Sequence, residues 1–348
     1  SGGKANGSYG GNVYLRDGNF AMTGGTLTAG EARWGGNLNI HETVNGTDYK
    51  VVIADDGNEE TPAPVISGGK ATTAGGNIMA YGALEIQAGT VTGGQVAAEG
   101  GVFGGNIYLE GATASLTLTG GTIEGGIAPA GGNIATYLAP ITMTGGTVTG
   151  GKNNYVSGDY GGGGNFFIFA APANISGGVI SEGDGYQGGN IYARNVEAVI
   201  TVTGDARIEG GKCTWDGANI LLFNWAKLDL QSGTITDGTP GRNAPGVLVD
   251  KYAKCNLAGG TVGTVSVANN AAEMNVSGAV VVGNLDLTSG AFVNVGTMAN
   301  GANVAVSAND GRFSVANTNA VTYAEYFRSA ISGKKVAAVD GALHMVNA

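Results

Sequence analysis

The chain has 348 residues, of which 66 are glycine and 7 proline, and 43% are hydrophobic. Glycine far above its ordinary share of about 7%, with no Gly-X-Y period, excludes collagen, and the apolar content excludes a disordered linker. With 17 basic and 27 acidic residues the net charge is −10, which excludes nucleic acid as a partner, and no apolar run is long enough for membrane insertion.

The first residues, Ser1-Gly2-Gly3-Lys4, already read as part of a repeat, so the chain is expected to enter an array that starts earlier. One phrase then recurs, Gly-Gly-Asn followed by a short apolar run. Its asparagines are Asn12, Asn37, Asn77, Asn106, Asn133, Asn165 and Asn190, and Asn219 continues the series behind Gly217-Ala218. The spacings are 25, 40, 29, 27, 32, 25 and 29 residues. A constant phrase at variable spacing means variable loops on a constant scaffold.

The residues behind each asparagine alternate as in a strand. Val13, Leu38, Ile78, Ile107, Ile134, Phe166, Ile191 and Ile220 come first, and Leu15, Ile40, Ala80, Leu109, Thr136, Ile168, Ala193 and Leu222 third. These two columns are expected to face inward. The second column, Tyr14, Asn39, Met79, Tyr108, Ala135, Phe167, Tyr192 and Leu221, is expected to face outward. Between the asparagines sits a second phrase, as in Met22-Thr-Gly-Gly-Thr-Leu-Thr28 and Met143-Thr-Gly-Gly-Thr-Val-Thr149, which reads as two short strands around a glycine bend.

Each repeat is thus three short strands and three turns. One such unit cannot bury its inner face, whereas stacked windings bury a continuous one, with strands pairing at about 4.8 Å per winding. Glycine supplies the positive φ that a corner every few residues demands. Asparagine tolerates left-handed backbone, and its amide can bond the equivalent residue above and below, so one asparagine per winding predicts a ladder. The fold class is all-β, a right-handed parallel β-helix with an asparagine ladder.

From Gly259 the phrase is lost and apolar alternation becomes denser, which reads as a narrowing continuation. The expected division is a β-helix over 1–298 and a C-terminal capping segment over 299–348, since the open end of a solenoid is a row of unpaired strand edges. Only Tyr323–Ile331 has a helical look.

Several residue groups are candidates for chemistry. The longest insertion, between Ile40 and Val65, carries Glu42, Asp48, Asp55, Asp56, Glu59 and Glu60. Clustered carboxylates suit calcium, with Asp55 and Asp56 as ligands; a solvated acidic loop explains the same residues. Asp159 and Asp184 each lie six residues before a ladder asparagine, so stacked windings are expected to bring them together. Paired carboxylates divide acid and base roles in glycan cleavage; turn formation beside glycine explains the same residues. Asp216 and Asp237 extend that acidic stripe, and Lys152, Arg194, Arg207 and Lys212 are the nearest cations in sequence. Aromatic residues recur before the Gly-Gly-Asn phrase. With the two aspartates they make a candidate ligand-binding set of Trp34, Phe103, Asp159, Tyr160, Asp184, Tyr186 and Trp215, either stacking on sugar rings or shielding strand surfaces. Cys213 and Cys255 are expected to be buried free thiols. His41 and His344, at opposite ends of the chain, exclude a histidine triad or a zinc site.

The Gly-Gly-Asn pattern resembles the pectate-lyase-like superfamily of right-handed parallel β-helices, whose members carry asparagine ladders in a turn; the likeness runs over roughly residues 1–298. The last part resembles the C-terminal closing segment of large surface proteins of gut Firmicutes, on the phrases Val304-Ala-Val-Ser-Ala-Asn-Asp-Gly-Arg-Phe-Ser-Val315, Glu325-Tyr-Phe-Arg328 and Asp340-Gly-Ala-Leu343. Both resemblances imply export. Neither implies one substrate, because the fold hosts lyases, hydrolases, adhesins and inert stalks. The expected function is a non-catalytic extracellular stalk or adhesin region of a bacterial surface protein, with glycans or host surface components as partners. The alternative is a polysaccharide lyase or glycoside hydrolase with Asp159 and Asp184 in a groove.

Overall fold

A computed structural model describes residues 1–41, 49–97, 103–154, 161–242 and 244–348. Each full winding contributes four strands, as in Glu31–Trp34, Leu38–Ile40, Lys50–Ile53 and Val65–Ser67, and then Lys70–Ala74, Ile78–Ala80, Ala83–Ile86 and Thr90–Thr92. Equivalent strands pair parallel and in register from winding to winding. Leu38, Ile78 and Ile107 stack, as do Val51, Leu84 and Leu116, and Ile66, Val91 and Ile123. These three stacks are the ladder wall, the middle wall and the closing wall, and they enclose one continuous apolar core from Met22 to Met345. Alternation puts every second residue of each strand into it.

The fourth stack is a separate eight-stranded branch sheet running from Lys4–Tyr9 to Lys212–Cys213. It stands outside the core and changes the fate of the second column. That column points away from the core, yet it is not a solvent surface. Asn39, Met79, Tyr108, Ala135, Phe167, Tyr192 and Leu221 are all buried, and only Tyr14, in the first winding, is exposed. The branch sheet folds back over the ladder wall and seals a second apolar core of Ala74, Met79, Tyr108, Ala130, Ala135, Phe167, Tyr192 and Leu221. Alternation reports which way a side chain points, not whether another sheet lies beyond it.

The ladder asparagines occupy the junction where the branch leaves the wall. Asn37 Oδ1 accepts from the Gly30 N–H at 2.9 Å, and its Nδ2 donates to Ser67 O at 2.9 Å and to Asn77 Oδ1 at 2.7 Å. The same contacts link Asn12 through Asn219 without a break, with Asn–Asn distances of 2.6–2.8 Å. A strand that turns out of a wall leaves a backbone donor and acceptor without ladder partners, and the amide satisfies both. The glycines of the phrase have separate reasons. Gly35 sits at φ +64, and a Cβ on Gly36 would lie 2.2 Å from Gly76 O of the next winding.

Branch and ladder end together. Among the described residues no branch strand follows Thr239, and Thr261–Val267 runs straight from the closing wall into the ladder wall, pairing with both. Without the detour a winding shrinks to 20 residues, from Thr261 to its partner Val281. The parallel stack continues past residue 298 through Asn303–Ser307 and Phe327–Ser329. Antiparallel Lys334–Val339 and Ala342–Asn347 then close the end, with Phe313, Leu343 and Met345 in the common core. The helical segment lies earlier than the sequence suggests. It is Thr318–Thr322 with a short 3-10 turn Ala324–Tyr326, because Asn317 caps it by accepting from Ala320 N at 2.7 Å and Phe327 returns to the core as a strand. A second, outer ladder holds this cap, from Asp229 through Asn256, Asn275 and Asn294 to Asn317.

Candidate ligand cleft

The aromatic residues before the Gly-Gly-Asn phrase end the branch strands, so their rings lean over the second core. Trp34 and Phe103 are half-buried and pack against it. Trp34 stacks on Tyr9 at 4.8 Å and Phe103 on Tyr108 at 5.1 Å. The partner ring of Trp34 comes from the neighbouring winding, and that of Phe103 from its own winding. Burial pushes the Tyr108 hydroxyl far above its ordinary pKa. Tyr186 and Trp215 form a looser, tilted pair at 5.1 Å and 39°.

Asp184 is exposed on the branch sheet, and its in-register partners are Lys152 and Lys212. The column at this position alternates in sign, as it does at Lys4, Glu31 and Lys70, and cross-strand pairing of opposite charges is a sheet-stabilising pattern. Asp159 and Tyr160 lie outside the described residues, so their expected approach to Asp184 falls there too. The longer repeats Asn37–Asn77 and Asn133–Asn165 are expected from the sequence to place their extra residues beside one groove, and 42–48 and 155–160 of them also lie outside the described residues. Asp55 and Asp56 accept backbone N–H groups two residues on, from Gly57 and Asn58, which is local turn chemistry. Among the described residues no three His, Cys, Asp or Glu side chains gather as for a metal. Asp237 accepts from Thr264 N at 2.6 Å, beyond the last ladder asparagine. Cys213 and Cys255 are free and buried; burial pushes the Cys213 thiol up to about 11 and that of Cys255 higher still.

A cleft of about 390 Å³ opens where the branch sheet ends, between Tyr186 and Trp215 on one side and the wall corner on the other. Tyr192 and Phe223 line it, and Arg194 and Lys251 enter it from windings two apart. Both cations lie over the Phe223 ring, Arg194 at 5.8 Å and Lys251 at 4.7 Å, and Arg242 covers Trp215 at 3.7 Å. Cations on ring faces are attracted by the ring quadrupole. Beside the cleft the corner backbone is left-handed at Asn224, Trp225, Lys251 and Tyr252, with φ of 53°, 77°, 41° and 63°. This conformation is uncommon for side chains so large. It carries Trp225 and Tyr252 outward, 54% and 52% exposed, stacked at 4.6 Å.

Of the sequence candidates, the fold brings Tyr186 and Trp215 into this cleft and leaves Trp34 and Phe103 along the second core. Phe223 and Lys251 were not singled out by the sequence. A signal for the first existed in the fourth column behind each asparagine, Arg16, His41, Tyr81, Glu110, Tyr137, Phe169, Arg194 and Phe223, which is polar or aromatic throughout. A second hollow of about 410 Å³ lies over Ala71 and Val96 on the branch sheet; its rim residue Glu31 is held by Lys4 at 2.8 Å. No family model, no curated protein and no solved structure matches this chain.

Proposed function

We propose that the chain is a non-catalytic, extracellular stalk or adhesin region of a bacterial surface protein, and that it touches glycans at the cleft between Trp215 and Lys251. The observation that carries this reading is the make-up of the cleft: aromatic rings with Arg194 and Lys251, and no carboxylate among its described lining residues. Sugars offer apolar ring faces to aromatic side chains and hydroxyls to polar ones. Glycan cleavage needs two positioned groups, and the stacked partners of Asp184 are lysines. The resemblance of the closing segment to Firmicutes surface proteins supports the setting, and a continuous core with two ladders suits a rod that presents a site.

The test joins a glycan array to a product assay on pectin, alginate, mucin glycans and neutral plant glycans, with and without calcium. Binding without release of unsaturated or reducing ends is expected, unchanged in Asp184→Ala. Sustained product release that Asp184→Ala abolishes would turn the reading to a lyase or hydrolase.

A further inference from the structure

We infer that residues 315–326 form a strap across the closing end of the solenoid that opens separately from the core, and that the outer ladder latches it, with Asp229 setting the ladder's direction. The strap shares no residue with the cleft. It has little apolar hold. Between Phe313 and Phe327, both in the common core, only Ser314 and Ala320 are buried, and the 3-10 turn Ala324–Tyr326 buries no residue. Tyr323, Ala324 and Tyr326 rest half-buried against the core. Asn317 is what fastens the segment. Its backbone N–H donates to Gly341 O at 2.9 Å, and its Nδ2 donates to Asn294 Oδ1 at 3.2 Å and to Val295 O at 3.3 Å. Its Oδ1 accepts from Ala320 N at 2.7 Å. Underneath lies Val293–Met298, the last strand of the middle wall. A bare strand edge is a template for pairing with another chain, so the strap guards this end.

Every amide of the outer ladder donates in one direction, back along the chain. Asn256 Nδ2 donates to Asp229 Oδ1 at 2.6 Å, Asn275 Nδ2 to Asn256 Oδ1 at 2.8 Å, and Asn294 Nδ2 to Asn275 Oδ1 at 3.1 Å. An asparagine amide can face either way, because it carries both a donor and an acceptor. A carboxylate only accepts, and a backbone N–H only donates. The row therefore has one direction that satisfies both of its ends, the Asp229 carboxylate and the Ala320 N–H. Reversing any amide between them sets two donors or two acceptors face to face. Lys227, at 2.7 Å, holds the carboxylate in place. Asp229 is thus a positioning residue for Asn317, acting through the three asparagines between them.

The experiment follows backbone hydrogen exchange of the full 348-residue chain by mass spectrometry. In the unaltered chain residues 315–326 are expected to exchange ahead of the core strand Thr261–Val267. Asp229→Leu, which offers no acceptor, should speed exchange in 315–326 about fivefold, as for the loss of one net hydrogen bond, and leave Thr261–Val267 unchanged. Asn275→Leu, which interrupts the row at its middle, should do the same, and it decides the matter if the Asp229→Leu chain does not fold. Asp229→Asn keeps an acceptor and should keep the original exchange. So should Thr201→Val, which alters the in-register neighbour of Asp229 outside the row. Strap exchange that is unmoved by both leucine variants, or moved as much by Asp229→Asn or Thr201→Val, overturns the inference. Exchange of 315–326 only together with Thr261–Val267 overturns it as well, because the segment then has no opening of its own.

Discussion

Asn133 accepts from Gly126 N and from Asn106 Nδ2 and donates to Thr149 O and Asn165 Oδ1, all at 2.7–2.9 Å and without solvent exposure. Removing the amide strands two backbone groups and two neighbouring amides at once. Asn133→Ala is therefore expected to lose about 1–3 kcal/mol in a denaturant melt. Asn12, half-buried at the end of the ladder with one asparagine neighbour, should lose less. Equal losses at both positions would contradict a cooperative ladder. The asparagines were legible because seven of the eight carry a glycine pair, with Gly217-Ala218 before Asn219, and glycine is the residue best suited to the two local demands there, a positive φ and a close backbone approach. The outer ladder from Asp229 to Asn317 was not legible, because its first four members sit in ordinary strands and the last caps a helix, with no phrase around them.

The branch sheet is the element that alternation could not announce. Its strands are short, and small residues such as Ala32, Ala71 and Ala128 are buried in it, so it reads as turn. Phe167 decides between an outer surface and a second core. It is 1% exposed and touches the rings of Phe103 and Tyr192 at 5.7 and 5.5 Å. Phe167→Ala is expected to cost about 3–5 kcal/mol, as for a core aromatic. A change within about 0.5 kcal/mol, normal for a surface site, would show the branch sheet to be loosely attached. The same element sets the register of Asp184. The strand Lys152–Asn153 pairs with Asp184–Gly185, so Lys152 is the in-register partner of Asp184, while Asp159 lies outside the described residues.

Across the whole molecule, stability is a sum of winding-to-winding interfaces, and charge contributes to several of them. Glu31, Glu85 and Glu273 each reach a lysine of a neighbouring winding, Lys4, Lys50 and Lys254, and those hydrogen bonds and charges hold all three carboxyls below their ordinary pKa. A folded pKa below the unfolded one means the contribution is present above the ordinary carboxylate range and is lost as pH falls through the folded pKa. The melting temperature is thus expected to be level from neutral pH to about pH 5 and to fall below about pH 4. The fall should be modest, because exposed pairs contribute little, and smaller in high salt. A melting temperature that rises on acidification below pH 4 would contradict it.

By itself the sequence determined the parallel solenoid, the inner columns, the position of every ladder asparagine and the place where the windings narrow. Each of these follows from local rules, two-residue alternation and glycine and asparagine at corners, repeated in every winding. The tertiary structure alone decided what lies outside the core. Whether an outward column meets water or a second sheet, which charges share a register, and which ring Arg194 and Lys251 both cover depend on residues brought together from different windings. Their separation along the chain is set by loops whose lengths vary, so no fixed period in the sequence encodes it.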